Sequence, residues 1–333
     1  MAEIVFGFGT SHGPLLATPS HEWDLRANVD RKNKALAFGA GTFDFEQLYE
    51  LRKGDHFERQ NTLEVRKERW ERCQKQLDVI AKRVAEVNPD ALVIVGDDHH
   101  EWFLNDIQPA LSIFHGKQVF NRALTKAEEE QKIANGGGYA MKIYYPQKDE
   151  IYPCPSGLAA HMVNQAVQND FDVAALGEQP ADNGVLRQLG HSYGFIYRRI
   201  LMSKPVPLIP ILVNTYYPPA PSARRCVAFG QALAAAIDRL PNRRIAVIGS
   251  GGLSHTIIDE ALDKGVINAI KANDLDHLAA LPAAQLTAGS SEIRNWIVTA
   301  AAANRSATVV DYVPCYRIPT GVGCGMGFAY WGA

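Results

Sequence analysis

Two continuous apolar runs, Ala91-Leu92-Val93-Ile94-Val95 and Ile245-Ala246-Val247-Ile248, limit most sharply what this chain can fold into. Unbroken β-branched runs without polar alternation belong to strands covered on both faces, as in sheets flanked by helices. Helical patterns fall between such runs. From Glu58 to Val87, the residues Leu63, Trp70, Leu77, Ile80, Val84 and Val87 recur at sevens, threes and fours, and Asn88-Pro89 ends the helix. Ser156 to Gln168 and an Ala-rich segment from Ser222 to Leu240 read as further helices, and Ser290 is expected to cap a last one carrying Glu292, Trp296 and Ile297. Ile4 to Phe8, Val173 to Leu176 and Leu208 to Val213 read as strands, with Pro210 indicating a bulge or an edge. The expectation is one α/β catalytic domain over residues 1–333, with a central, largely buried mixed sheet flanked by helices. Residues 20–55, polar and interrupted by Gly39-Ala40-Gly41, are expected to be an irregular lid or insertion, and Gly136-Gly137-Gly138 a mobile loop.

Composition narrows the partners. With 34 Lys+Arg against 36 Asp+Glu and a net charge of −2, no excess of positive charge is available for a phosphate backbone or an anionic membrane, so neither nucleic acid nor membrane is expected. The N-terminus has no basic leader and the apolar runs are too short to span a bilayer, which makes a reducing cytoplasm the expected compartment. The five cysteines are scattered and never spaced C-x-x-C, which argues against a thiolate zinc site, an iron-sulfur cluster or a disulfide framework. Ten histidines remain, so any metal chemistry must use imidazole and carboxylate ligands.

Three of those histidines share a setting. Each of His12, His99 and His255 follows an apolar strand and a glycine within a few residues. In open α/β sheets ligands sit at the carboxyl ends of strands, so the three imidazoles are expected to converge on one crevice. A single histidine past a strand is more often a hydrogen-bonded loop residue; the repetition is what carries the reading. Glu292 falls in the first turn of the last expected helix, where the helix dipole and free amides keep a carboxylate ionised, whether as a surface group or as a ligand. Two neutral imidazoles and one carboxylate on one face of a metal form the arrangement of non-heme Fe(II) oxygenases.

Gly9-Thr10-Ser11-His12-Gly13-Pro14, Asp97-Asp98-His99, Gly249-Ser250-Gly251-Gly252-Leu253-Ser254-His255 and Glu292-Ile293-Arg294-Asn295-Trp296 together resemble the class III extradiol ring-cleavage dioxygenases. Within that class they are most similar to the catalytic β subunit of protocatechuate 4,5-dioxygenase and its single-chain relatives acting on gallate and 3-O-methylgallate. The resemblance runs in order from the first strand to Gly327 and is strongest from Asn214-Thr215-Tyr216-Tyr217-Pro218-Pro219 through Arg225-Cys226 to His255. It implies Fe(II) held by His12, His99 and Glu292, with His99 chosen over His100 because it stands two residues after Asp97. It also implies His255 as acid/base, His191 in Gly190-His191-Ser192 as a second active-site histidine or a structural one, and Thr320 as a contact for the substrate carboxylate. Gly321 and Val322 depart from the family's polar pattern there, and residues 20–55 have no counterpart in the β subunit. Both departures favour a catechol bulkier than, or substituted differently from, protocatechuate.

The activity implied is O2-dependent opening of the ring of a small aromatic diol acid, as in the catabolism of lignin-derived compounds, by a homo-oligomer, expected to be a dimer. His255 would take a proton from a substrate hydroxyl and later return one. Three readings compete. Gly7-Phe8-Gly9-Thr10-Ser11-His12-Gly13 roughly fits a dinucleotide loop of an NAD(P)-dependent oxidoreductase, but Pro14 follows at once and no acidic-ended second strand appears about 20 residues on. A non-enzymatic binding protein on the same scaffold would not need the full His12, His99, Glu292 and His255 set. A zinc-dependent hydrolase uses the same ligand types. Packing is the expected role of Tyr216 and Tyr217, and a structural one that of His21, His56, His100, His115, His161 and His277.

Overall fold

The structure is a computed structural model describing residues 2–39, 41–134, 137–239 and 243–332. Ala40, Gly136 and Leu240, which fall in the glycine-flanked turn, the triple-glycine loop and the end of the Ala-rich helix, lie outside the described residues.

Nine strands make one mixed sheet: β1 (Glu3–Thr10), β2 (Ala91–Gly96), β3 (Leu111–Phe114), β4 (Ala174–Leu176), β5 (Leu208–Val213), β6 (Arg244–Ser250), β7 (His255–Ile257), β8 (Ala307–Tyr316) and β9 (Val322–Trp331). Across the sheet the order is β7-β9-β1-β6-β2-β5-β3-β4, with β8 on the other edge of β9. The central four, β1-β6-β2-β5, are mutually parallel. In register, Thr10 lies opposite Ser250, Gly249 opposite Val95 and Gly96 opposite Leu212, so the four carboxyl ends finish along one line. Every residue of β2 and β5 is buried, as unbroken apolar runs require.

Helices cover both faces. On one, α1 (Leu63–Val87) packs on β1, β8 and β9. On the other, α2 (Ser156–Gln168) packs against α3 (Ala223–Asp238), and α3 and α5 (Ile293–Ala303) pack on each other and on β1; α4 (Glu260–Ala272) packs on β8. The whole of α5 is buried, including Arg294, Asn295 and Thr299. Its polar groups are spent locally. The Arg294 guanidinium donates to the carbonyls of Pro221, Leu286 and Ser291, and the Thr299 hydroxyl to that of Asn295.

The excursion differs from the irregular lid expected of it. It forms a helix, Asp24–Lys32, a two-stranded hairpin, Leu36–Phe38 with Gly41–Phe43, and a second helix, Phe45–Arg52, opened by a reciprocal capping box between Asp44 and Gln47. Ala27, Leu36 and Leu48 bury against Ile257, Ile318 and Val322 as a small apolar cluster separate from the main core. Arg52, clasped between the rings of Phe38 and Phe57, donates to the Ile258 carbonyl and ties this segment to the end of β7.

Two further expectations are corrected. Pro210 lies in an internal strand rather than at an edge or bulge; β3 pairs β5 only from Ile211 to Val213, so its missing N–H falls just outside that ladder. Ser290 does not cap α5: a 3₁₀ turn, Ala288–Glu292, runs directly into it. The stretch around the triple glycine carries a helix, Lys126–Ala134. Gly7 and Gly9 are ladder residues of β1, and only a 3₁₀ turn at Pro14–Leu16 follows, so no phosphate-cradling loop and helix N-terminus exists there. Among the described residues no helix is long and apolar enough to cross a membrane.

The α3–α5 interface depends on close approach. A Cβ added at Gly230 would collide with the Val298 carbonyl and lie 2.8 Å from the Ala301 Cβ. Gly230→Ala is expected to lower stability by about 1–3 kcal/mol, measured by urea denaturation, because two backbones must separate to admit one methyl.

Candidate active site

The carboxyl ends of β1, β2 and β6 deliver the cluster. His12 leaves β1 two residues past Thr10, Asp97 and His99 follow β2, and Glu292 and His255 meet beside the Gly251-Gly252 turn that follows β6. His12 Nε2 lies 3.4 Å from Glu292 Oε2 and 4.0 Å from Asp97 Oδ1. His99 Nε2 lies 2.9 Å from Asp97 Oδ2 and 3.8 Å from Glu292 Oε1, and His191 Nε2 lies 3.6 Å from Asp97 Oδ2. His255 Nε2 is 3.0 Å from Glu292 Oε1. Asp97, His12 and Glu292 are almost fully excluded from solvent.

Hydrogen bonding settles which nitrogen of His12 is bare. The single Ser250 hydroxyl proton is donated to the Ser192 carbonyl at 2.7 Å. His12 Nδ1, 3.0 Å from the same oxygen, must therefore be the donor to it. Burial pulls the His12 pKa down to about 4 against the opposing pull of Glu292, so the ring is neutral near pH 7 and Nε2 carries a lone pair. That lone pair faces two carboxylates. Although burial favours the protonated acid, the neighbouring imidazoles, His255 foremost, hold Glu292 well below the ordinary carboxylate range. Asp97 is lowered too, because His191 and His99 outweigh burial and the charge of Glu292. In the metal-free protein the raised His99, His191 and His255 imidazoles oppose this negative charge, and the His12 lone pair turned toward two buried carboxylates makes a point at which a cation gains.

Two further atoms face the same point. Asp97 Oδ2 and His99 Nε2 are buried and form an ion-pair contact at 2.9 Å whose alignment falls short of a good hydrogen bond. His12, Asp97 and His191 form one set with the spacing of metal ligands, and Asp97, His99 and Glu292 another. The donors are imidazole nitrogen and carboxylate oxygen, which suit Fe(II) and zinc alike. The residues present thus fit a divalent metal.

The surroundings hold this set in place. The Asn295 amide donates to Asp97 Oδ1 and the Ser250 carbonyl, the Gly252 N–H donates to Glu292 Oε2 at 2.7 Å, and the Tyr144 hydroxyl donates to the His12 carbonyl at 2.6 Å. Asp98 turns away and accepts from the N–H groups of Trp102 and Phe103, fixing the loop that presents His99. His255 Nδ1 donates to the Leu253 carbonyl at 2.9 Å, leaving Nε2 to exchange protons. Its ring is confined: a Cβ on Gly252 would lie 2.6 Å from Nδ1. His191 is gripped by Glu101, with Nδ1 2.9 and 3.0 Å from the carboxylate oxygens. Burial opposes its charge, but Glu101 and Asp97 overcome this and push it up to about 10.

Five of the six residues singled out in the sequence, His12, His99, Glu292, His255 and His191, converge on one cavity of ≈ 480 Å³. Thr320 does not line it; its hydroxyl is fully buried and without a partner. His100 turns outward and stacks flat on Tyr217 at 3.7 Å, while Tyr216 meets His99 edge-on at the cavity rim. Sequence reasoning missed Asp97 as a member of the cluster, although its place directly after β2 was a signal. It also missed Glu101, Ser250 and Arg26, for which the sequence carried none.

Two measurements check these protonation states. Ser250→Ala should weaken binding of a divalent metal about 10- to 100-fold by titration, with the fold retained, because Nδ1 loses the acceptor that fixes the tautomer. Glu292→Ala should abolish stoichiometric binding. In metal-free protein, the stability contributed by neutral His12 is complete above pH 6.5 and is lost as pH falls toward about 4, since the folded value lies below the unfolded one. Melting temperature should therefore drop over that window, and less so in His12→Gln.

Comparison with known proteins gives the same direction. The family described as the catalytic LigB subunit of aromatic ring-opening dioxygenase matches residues 60–326. A 2,3-dihydroxyphenylpropionate/2,3-dihydroxicinnamic acid 1,2-dioxygenase of Paraburkholderia xenovorans (strain LB400) is 27% identical over 173 residues, covering 52% of this chain and 45% of that protein. The enzyme of the same name from Klebsiella pneumoniae subsp. pneumoniae is 24% identical over 174 residues, covering 52% and 46%. The chain spans about half the length of the curated relatives it matches. The crystal structure of an uncharacterized Escherichia coli K12 protein aligns over 98% of this chain and 100% of its own at 13% identity, with a TM-score of 0.47, too low to bear on the argument. With most of its length matched, the chain belongs to the family of catalytic LigB subunits of aromatic ring-opening dioxygenases, the class III extradiol group.

Proposed function

We propose that this protein uses Fe(II), held by His12, His99 and Glu292, to open the ring of a catechol-type aromatic acid with O2. The observation that supports it most is the bare His12 Nε2 turned toward two buried carboxylates, beside the poorly aligned contact of His99 Nε2 with Asp97 Oδ2. When bound, Fe(II) supplies a Lewis acid for the two ring hydroxyls and a path for electrons to O2. Asp97 is a further carboxylate beside the ligand set, with Oδ2 facing His99 Nε2 and His191 Nε2.

The chain's own residues move the protons. His255 accepts a proton from a substrate hydroxyl at Nε2 and returns it as the ring opens, its Nδ1 staying on the Leu253 carbonyl throughout. His191, charged through its grip on Glu101, presents an Nε2–H on the Asp97 side of the cavity and steadies negative charge developing there. The excursion 20–55 serves as the lid, since Arg26 from its first helix lines the cavity and its apolar side packs on β7. Thr320 is left out of the proposed substrate contacts because it does not line the cavity.

A cavity of ≈ 480 Å³ accommodates a single-ring diol acid, within the usual ~300–1,000 Å³ of small-molecule sites. Candidate substrates are protocatechuate, gallate and 3-O-methylgallate, and the 2,3-dihydroxyphenylpropionate for which the relatives are named. After anaerobic loading with Fe(II), oxygen uptake is expected on at least one of these four; no uptake on any would refute the reading. His255→Gln should lower kcat by about 10²- to 10⁴-fold while iron remains bound, as metal analysis would show.

A further inference from the structure

The cavity holds cations whose charge the metal cluster does not use. Arg26, Lys132 and Arg317 all line it. Arg317 is neutralised: Asp30 takes it bidentately through Nε and Nη2, and both residues are buried. Asp30 stands four residues after Arg26 on the same helix, Asp24–Lys32, and so shares its face. The carboxylate that would ordinarily pair with Arg26 is thereby committed to Arg317. Among the described residues Arg26 has no carboxylate partner, and Lys132 rests its ammonium 4.8 Å from the centre of the Tyr145 ring. Burial and the nearby Arg317 both disfavour the Arg26 charge, yet a guanidinium stays protonated, so the position is one at which an anion gains.

We infer that Arg26 is the anchor for the substrate carboxylate, and that it selects catechols carrying an acid group over uncharged catechols. The inference rests on the ring-opening reading above and adds the group that sets its selectivity. The geometry is consistent throughout. The diol end must lie at His12, His99 and Glu292, while Arg26, carried by the excursion, lines the same cavity. A planar fork of donors meets a carboxylate through two parallel hydrogen bonds, which a lone ammonium on an aromatic ring does not. The Asp30–Arg317 pair locks the helix from the side of Ile318, fixing the face that Arg26 shares. This assigns to a residue of the excursion the part that the resemblance gave to Thr320.

The test uses Arg26→Met, Arg26→Lys and Lys132→Met in the full chain. Anaerobic binding of 3,4-dihydroxybenzoate, of 3-(2,3-dihydroxyphenyl)propionate and of catechol is measured by calorimetry, with and without Fe(II), and KM and kcat by oxygen uptake. Arg26→Met should weaken binding of the preferred acid, and raise its KM, by about 10- to 100-fold, the usual loss for a charge-assisted hydrogen bond, with kcat and catechol binding little changed. Arg26→Lys should recover part of the loss, and Lys132→Met should leave the preference intact. An equal loss for acid and catechol, an unchanged affinity for the acid, or no preference for an acid in the unmodified protein would each overturn the inference. Absent oxygen uptake with selective acid binding retained would instead remove the ring-opening reading alone.

Discussion

Everything in this molecule that concerns function depends on one electrostatic problem: an imidazole lone pair and two ionised carboxylates brought together out of reach of water. Repulsion of that kind is tolerated only if the backbone holding the groups cannot relax. The four parallel strands supply that rigidity. Their ends finish in line, so three separate stretches of chain meet within hydrogen-bond range, and the fully buried α5 braces them from one face through Asn295. The sheet is thus a frame for a cation as much as a core.

Much of this was legible in the sequence, for a physical reason. Unbroken apolar runs such as Ala91–Val95 can exist only between two covered faces, and a strand so buried delivers its next polar residue to an edge. His12, His99 and His255 could therefore be expected to share a crevice, and they do. What stayed hidden depended on partners distant in the chain. Glu101 grips a histidine ninety residues away, and Ser250 decides a tautomer through the carbonyl of Ser192. The excursion misled through its polarity. Its helices bury only one narrow side, Ala27 and Leu48 among few others, so its composition resembles loop although its backbone is regular. Thr320 misled in another way, since the residue directly after Ile318-Pro319 is fully buried here, between Ile318 and Val322 of the excursion's own cluster.

The division of labour between walls follows from that architecture. The strand ends carry the groups that need fixed geometry, and glycine is used where His255 must be approached closely on its Nδ1 side. Residues that discriminate among ligands can tolerate more movement, and Arg26 lies on a helix tied to the rest by two ion pairs, Asp30 with Arg317 and Asp24 with Arg66, and a few apolar contacts. The two kinds of residue are carried by different parts of the chain, and exchange of one need not disturb the other.

The separateness of the small cluster formed by Ala27, Leu36, Leu48, Ile257, Ile318 and Val322 has a thermal consequence. A patch of six buried residues buries far less apolar surface than the main core, so opening the excursion locally costs less free energy than unfolding the nine-stranded sheet. Water would then reach the buried charges before the protein as a whole unfolds.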